Sequence, residues 1–238
     1  MRRGDFAEDP TDAEEYLLLP KYDMMAEKRP GIARYRIGNF KRTVIRMYKR
    51  ILFVCTGNTC RSPMAEGLFR LIAEREGLDV DVRSAGVAAM DGFPISGHAA
   101  DILKEKGFTD TMRSSALTAE RVEWSDLILT MTAAHKQIVI QRFPDAADKV
   151  FTLKEFAEDD QNVLEALAER QRLSAELEMK RSLGQPVTEE ETERLKQIEA
   201  TLPDFDVADP FGGTFERYVA CSQELETYLN KLAQKLKQ

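Results

Sequence analysis

Two kinds of segment follow each other along the middle of the chain. Short runs of apolar residues, or of alternating apolar and polar residues, lie between longer amphipathic stretches. Four of these runs are short enough for strands, at residues 51–54, 80–84, 127–129 and 150–153. Helical spacing follows the first run and recurs at residues 97–106, around His135, and at residues 214–235. Strands that alternate with helices predict an α/β fold, with a doubly wound four-stranded parallel sheet and helices on both faces.

The loop between the first strand and the first helix reads Cys-Thr-Gly-Asn-Thr-Cys-Arg-Ser-Pro from Cys55 to Pro63. Ser62 is predicted to cap the helix and Pro63 to occupy its first position. A loop that ends on a helix N-terminus points backbone N–H groups inward, and the helix dipole adds partial positive charge. The sequence therefore predicts a cradle for a phosphate group.

The residue types in this loop suit phosphoryl chemistry. A helix N-terminus and a nearby arginine favour the thiolate form of a cysteine, so Cys55 is a candidate nucleophile. Arg61 offers a planar fork for two phosphoryl oxygens. Gly57 permits positive φ, and Asn58 tolerates the left-handed conformation and can brace the loop. The hydroxyl of Ser62 can donate a hydrogen bond to the thiolate.

Simpler interpretations exist for several of these residues. An apolar run followed by Gly, Asn and Ser is also an ordinary strand and turn, in which Cys55 would be a core thiol. Cys60 either closes a reversible disulfide with Cys55 or packs beneath the loop. Cys221 is expected to be a core or surface thiol. His98 and His135 are expected to be surface or helix-packing residues, and no metal-ligand spacing is present.

The twelve residues from Cys55 to Glu66 resemble the active-site signature of the low-molecular-weight protein tyrosine phosphatase family. That family carries a general acid in an Asp-Pro pair far downstream, which Asp209-Pro210 matches. Thr59 and the run Asp-Pro-Phe-Gly-Gly further resemble the bacterial protein arginine phosphatases. The similarity extends over residues 51–156 and 206–238.

The resemblance implies a cysteine-dependent protein phosphatase that removes phosphate from phosphoarginine residues through a phosphocysteine intermediate. Its catalytic residues would be Cys55, Arg61 and Asp209, and Thr59 and Phe211 would determine substrate specificity. No metal or cofactor is implied, and the partners would be phosphorylated proteins. The phosphate-binding residues implied are Thr56, Gly57, Asn58, Thr59, Cys60, Arg61 and Ser62.

Three alternative functions stay open. A protein tyrosine phosphatase of the same family would use the same residues. An arsenate reductase would need a further pair of closely spaced cysteines, but Cys221 is remote from the first two. A non-catalytic scaffold that binds phosphorylated residues is the third alternative, and intact Cys55, Arg61 and Asp209 argue against it.

A helical hairpin is predicted as an insertion at about residues 157–205. Residues 161–183 contain few helix breakers, a turn follows at residues 184–186, and Thr188 to Glu191 form a capping box. The segment holds thirteen acidic and six basic residues. It is either a solvated hairpin that packs on itself or a lid or docking arm for a protein partner, since it ends shortly before Asp209.

Composition and charge narrow the classes of function. The chain has 238 residues, of which 43% are hydrophobic, enough for one core with extensions. No run approaches the roughly 18 apolar residues of a membrane helix, and a net charge of −7 argues against nucleic-acid binding. Three cysteines, an odd number, and a nucleophile that must stay reduced point to the cytoplasm.

Residues 1–49 lie outside the resemblance and form a predicted N-terminal extension, followed by a phosphatase domain at residues 50–238. Residues 1–27 carry eight acidic and three basic residues, whereas residues 28–50 carry nine basic residues and no acid. The basic stretch could dock on an acidic partner, a membrane surface or RNA. We favour a disordered or non-native extension, because Met47 directly precedes the first strand and suits a translation start.

Deletion of residues 1–46 is expected to leave the fold and the turnover of a small aryl phosphate nearly unchanged, because the segment holds no candidate catalytic residue. The measurement is kcat/KM for the truncated and full-length chains, with thermal melting as the control. Loss of turnover in a folded truncated chain would contradict the domain prediction.

Overall fold

The computed structural model describes residues 48–237. The predictions for residues 1–47 lie outside this range. The described part contains a central sheet whose four strands are all parallel and follow the order β2-β1-β3-β4. The strands are β1 (Arg50–Cys55), β2 (Asp81–Gly86), β3 (Leu127–Thr130) and β4 (Val150–Thr152).

The described residues form eight α-helices. They are α1 (Arg61–Glu76), α2 (Gly97–Glu105), α3 (Ala119–Trp124), α4 (Ala133–Arg142), α5 (Leu153–Ala157), α6 (Gln161–Ser182), α7 (Glu189–Thr201) and α8 (Phe215–Leu236). A short 3-10 helix, Pro144–Lys149, precedes β4. Helices α3 and α5 and the 3-10 helix were missed in the sequence, because they are too short to show a helical period.

Two apolar layers confirm the predicted helices on both faces of the sheet. Strand β1 is fully buried from Ile51 to Val54, as expected for the central region of a parallel sheet. Ile51 and Phe53 face the layer that contains α1 and α8. Leu52 and Val54 face the opposite layer, which α3 and α4 complete. The predicted fold class is therefore confirmed.

Helix α8 covers the first layer with one apolar face, as the sequence predicted. Leu225, Leu229 and Leu232 are fully buried on this helix. Tyr218 and Cys221 extend the same face toward the carboxyl ends of the strands. Because the loops after parallel strands meet at that edge, α8 forms one wall of the region where a ligand is expected.

Helices α6 and α7 form the predicted hairpin. Lys180 of α6 pairs with Glu191 of α7, the acid of the capping box that opens the helix. On α6, Leu173 and Leu177 are buried, and Arg170 reaches Glu155 of α5 with an N–O distance of 3.3 Å. Helix α7 has no buried residue. The status of this segment as an insertion and its role as a lid or docking arm stay predictions.

Joining the chain across residues 160–203 is expected to preserve cleavage of a small aryl phosphate, because α7 buries nothing and α6 contributes only two residues to the interior. If the hairpin is a lid or docking arm, activity on a phosphorylated protein should change at the same time. The measurement is the ratio of kcat/KM for the two substrates. Equal changes for both would show that the hairpin only supports the Asp209 loop.

Candidate active site

The loop between β1 and α1, residues 55–61, is called the cysteine loop below. Cys55 is 3% exposed at its start. The sulfur of Cys55 accepts hydrogen bonds from the backbone N–H of Asn58 at 3.3 Å and from the hydroxyl of Ser62 at 3.0 Å. Donors strengthen their bonds when the acceptor is an anion, so this environment suits a thiolate.

Asn58 holds the cysteine loop in shape. It is the non-glycine residue with positive φ in the described chain, at 53°, and it is fully buried. Its Nδ2 donates to the hydroxyls of Ser62 and Ser84, both at 2.8 Å, and its Oδ1 accepts from Ser115 N at 2.7 Å. The bracing role predicted for Asn58 is therefore present. The prediction of positive φ at Gly57 is wrong, because the left-handed residue is Asn58.

A chain of hydrogen bonds between side chains continues from Asn58 to the surface of α1. Ser84 accepts from Asn58 and donates to Glu66 Oε2 at 2.5 Å, while Arg70 pairs with the other oxygen of Glu66. Burial raises the pKa of the Glu66 carboxyl, and the bond from Ser84 and the charge of Arg70 oppose that rise. This chain ties the buried amide to an ion pair.

The predicted capping role of Ser62 and the predicted place of Pro63 at the first helical position are both wrong. Helix α1 begins at Arg61, and its N-cap residue is Cys60, which makes no capping bond with its side chain. The hydroxyl of Ser62 instead donates to Cys55 Sγ and, at 3.3 Å, to Ala85 O. Because α1 begins one residue before Ser62, the hydroxyl lies in the first turn and not at the cap. From there it reaches the sulfur of Cys55 and the carbonyl of Ala85.

Arg61 and Asp209 meet although 148 positions separate them in sequence. The guanidinium of Arg61 donates to Asp209 Oδ2 at 2.7 Å and to Val207 O at 3.3 Å. The side chain of Arg61 is 6% exposed and that of Asp209 is 52% exposed. The structure thus joins Arg61 and Asp209 directly, at the end of the loop that begins with Cys55, and the carboxylate is on the solvent side. This region is called the mouth below.

The other predicted site residues differ in how deeply they are buried. Thr59 is half-buried, and Phe211 is 76% exposed beside Asp209, whose Oδ1 accepts from Phe211 N at 3.1 Å. Cys60 lies beneath the loop, where its sulfur is 3.1 Å from the hydroxyl of Tyr218. Burial and Cys60 raise the pKa of Tyr218. The three cysteines are free thiols, and a reversible disulfide stays a prediction.

His135 is a site residue that sequence reasoning missed. It is buried on α4, as a helix-packing residue should be, but its Nε2 lies 2.8 Å from the hydroxyl of Thr56. Its Nδ1 lies 2.8 Å from the hydroxyl of Thr132, the N-cap of α4. Burial lowers the pKa of His135, Arg61 lowers it further, and Asp206 and Asp209 oppose the shift. The sequence did contain one indication of this position. A threonine that can cap α4, Thr132, precedes His135 by three residues.

The described residues contain neither a metal cluster nor a membrane helix. In residues 48–237, no group of three or more His, Cys, Asp or Glu side chains is arranged to hold a metal ion. Over the same range, no helix is both long and apolar enough to cross a bilayer. The residues around Cys55 supply donors and a guanidinium, which are groups that bind an anion directly.

Comparisons with known proteins agree with this geometry. The family model "Low molecular weight phosphotyrosine protein phosphatase" matches residues 50–167. A protein-arginine-phosphatase of Geobacillus stearothermophilus is 40% identical over 187 residues, which is 79% of this chain and 95% of that protein. Its Bacillus subtilis counterpart is 41% identical over 187 residues, covering 79% and 96%. The protein-tyrosine-phosphatase PtpB of Staphylococcus aureus is 33% identical over 183 residues, covering 77% and 96%.

Solved structures give the same result. A mutant of YwlE from Bacillus subtilis superposes with a TM-score of 0.60 at 40% identity, covering 80% of this chain and 99% of that one. A cysteine-to-serine mutant of YwlE arginine phosphatase, with a phosphorylated active-site serine, superposes with a TM-score of 0.59 at 40% identity, covering 79% and 96%.

Fold and site together define a phosphatase that depends on a cysteine. The chain belongs to the low molecular weight phosphotyrosine protein phosphatase family. The resemblance stated from the sequence, including that to the protein arginine phosphatases, is confirmed.

Substitution of Gly86, the last residue of β2, tests the packing of the cysteine loop. A Cβ there would lie 2.5 Å from Thr56 O and 2.8 Å from Asn58 N, both backbone atoms of the loop. Gly86→Ala is therefore expected to displace the loop and lower kcat/KM for a small aryl phosphate by about tenfold or more.

The matched control is Gly97→Ala, since an added Cβ at Gly97 meets nothing within 4 Å. This variant should keep the activity of the natural chain. A folded Gly86→Ala variant with unchanged kcat/KM would show that the loop tolerates displacement and that its geometry is not critical.

Proposed function

We propose that this chain is a protein arginine phosphatase that removes phosphate from phosphoarginine residues of proteins. The observation that carries the proposal is 40% identity across 95% of a protein-arginine-phosphatase, well beyond the cysteine loop itself. The site is consistent with it, because a carboxylate at the mouth can pair with a guanidinium.

The proposed first step is in-line attack by the Cys55 thiolate on phosphorus. Asp209 enters this step as the neutral carboxylic acid. The S–P bond forms as the P–N bond breaks, the electron pair stays on the guanidinium nitrogen, and the proton of the Asp209 carboxyl is transferred to that nitrogen. Arg61 and the backbone N–H groups of residues 56–62 hold the equatorial oxygens as charge develops. The hydrogen bond from Ser62 stabilises the sulfur when it leaves again.

The proposed second step is hydrolysis of the phosphocysteine. Asp209, now a carboxylate, takes a proton from water as the water oxygen attacks phosphorus and the S–P bond breaks. Inorganic phosphate and the Cys55 thiolate are the products, so the cycle is closed without a metal or cofactor. The phosphorylated serine in the mutant of the YwlE relative supports a covalent intermediate at this position.

Substrate choice is proposed to depend on Thr59 and Phe211. A free guanidinium has a pKa above about 12, so its nitrogen leaves poorly unless it is protonated or held by an acid. Thr59 is shorter and more polar than isoleucine, which leaves room for a planar group at the mouth. Phe211 is largely exposed, and its ring would offer an aromatic face on which the guanidinium plane stacks.

A tyrosine phosphatase activity is the second candidate. The similarity to PtpB of Staphylococcus aureus over 77% of this chain favours it, because that relative is named a protein-tyrosine-phosphatase. Arsenate reduction is less well supported. Burial raises the pKa of Cys221 to about 12, which makes that thiol a poor relay nucleophile.

The partners and location are part of the same proposal. Phosphorylated proteins are the substrates, and a further protein partner would contact the hairpin of α6 and α7. We place the enzyme in the cytoplasm, because a nucleophilic thiol needs a reducing compartment. Phosphatase activity would reside in residues 50–238, with residues 1–49 as an extension and residues 157–205 as an insertion.

The natural chain is expected to cleave phosphoarginine peptides in preference to phosphotyrosine peptides, and Thr59→Ile should move the ratio of kcat/KM toward phosphotyrosine. A pocket contact of this kind changes such ratios by about 10- to 200-fold. Phosphate release from matched peptides measures both values, with Cys55→Ser as the inactive reference.

Thr59→Val is the matched control, because valine keeps the branched shape and size and replaces the hydroxyl with a methyl group. A ratio near that of the natural chain would assign the effect to size, and a ratio near that of Thr59→Ile would assign it to polarity. Preference of the natural chain for phosphotyrosine would return it to the tyrosine phosphatases.

A further inference from the structure

The first turn of α4 contacts both loops of the active site. Helix α4 starts directly after β3, at the carboxyl edge of the sheet, and its N-cap is Thr132. Residues 131–135 bond to the cysteine loop on one side and, on the other side, to residues 206–209, called the acid loop below. Neither contact includes a reacting group of the proposed mechanism.

On the side of the cysteine loop, His135 links two threonines. Its Nε2 is 2.8 Å from the hydroxyl of Thr56, the residue after the nucleophile, and its Nδ1 is 2.8 Å from the hydroxyl of Thr132. The hydroxyl of Thr132 also accepts from the backbone N–H of His135 at 3.2 Å. A buried ring whose two nitrogens are both bonded has one orientation, so it fixes the side chain of Thr56.

On the side of the acid loop, the contacts are to backbone atoms of Ala133 in the same turn and of Met131 just before it. Asp206 Oδ1 accepts from Ala133 N at 2.7 Å, which places a carboxylate at the helix N-terminus. Val207 N donates to Met131 O at 2.8 Å. These bonds fix the chain two and three residues before Asp209, and therefore set where its carboxylate can reach.

We propose that the first turn of α4 is a shared anchor of the active site, in which His135 positions the cysteine loop through Thr56 and Asp206 positions the acid loop through Ala133 N. The roles of the two loops rest on the proposed function, but the anchoring itself does not depend on the identity of the substrate. Both are positioning residues, since neither touches the reacting atoms.

A shared anchor fixes the nucleophile and the acid relative to each other. The guanidinium of Arg61 already joins the two loops at the mouth, through Val207 O and Asp209. That junction includes the ligand-binding group itself, so it changes when an oxyanion binds the guanidinium. The bonds of the α4 turn use the hydroxyl of Thr56 and the carboxylate of Asp206, and neither group holds the phosphoryl oxygens in the proposed mechanism. Loss of either contact should therefore misplace one loop and leave the other in place.

The test compares His135→Leu with Asp206→Ala, each beside a conservative variant that keeps a polar group, His135→Gln and Asp206→Asn. Gln137→Ala, an exposed position on the same helix, is the matched control. Three readouts are needed: competitive inhibition by inorganic phosphate, and kcat/KM for phenyl phosphate and for para-nitrophenyl phosphate, whose leaving group needs less protonation.

His135→Leu is expected to weaken inhibition by phosphate and to lower kcat/KM for both aryl phosphates equally, by about tenfold to a hundredfold. Asp206→Ala is expected to leave phosphate inhibition within about twofold and to lower kcat/KM more for phenyl phosphate than for para-nitrophenyl phosphate, because only the acid is displaced. His135→Gln and Asp206→Asn should recover part of each loss, and Gln137→Ala should match the natural chain.

Two results would overturn the proposal. One is a folded His135→Leu chain with natural phosphate inhibition, or a folded Asp206→Ala chain with the same loss for both leaving groups. The other is a loss that disappears when activity is expressed per folded molecule from thermal melting, which would assign both residues to stability alone. None of these readouts includes phosphoarginine, so failure of the proposed substrate class would leave them unaffected.

Discussion

The hydrogen bonds of one buried amide hold the active site together. Asn58 occupies a left-handed backbone conformation that β-carbon residues rarely adopt, and three hydrogen bonds from its side chain offset that cost. Its backbone N–H reaches Cys55 Sγ, while its amide orients Ser62 toward the same sulfur. Without this conformation the two donors would not converge on Cys55. The neighbouring strand leaves room for the loop only because its last residue is Gly86.

Much of the fold and of the site follows from local sequence. The buried strand at residues 51–54 and the helix that begins beside it enclose a loop in which Cys55, Asn58 and Arg61 each have a chemical reason for their position. Asp209 lies between α7 and α8, and the bond from Val207 N to Met131 O holds that segment at the carboxyl edge of the sheet, where the cysteine loop also lies. The resemblance to a known family supplied the identity of the acid, which spacing alone could not.

The features that sequence reasoning missed depend on contacts between elements. His135 has no partner within its own helix except the capping threonine, and its link to Thr56 exists only after β1 and β3 pair. The hydroxyl of Ser62 had two possible roles, and the nearby sulfur decided between them. Helices α3 and α5 are shorter than two turns, so the threonines that cap them indicate these helices better than the spacing of apolar residues does.

Under the proposed mechanism, the bond between Arg61 and Asp209 makes ligand binding an exchange of one anion for another. A phosphoryl oxygen and the Asp209 carboxylate are acceptors for the same guanidinium, and the carboxylate already holds it at 2.7 Å. The affinity of the loop for any anion therefore depends on how much more strongly that anion binds Arg61 than the Asp209 carboxylate does. Chloride or acetate carries a single charge and gains little from replacing the carboxylate, whereas a dianion with several acceptor oxygens gains more. The site thus discriminates by charge before any side chain of the substrate is recognised.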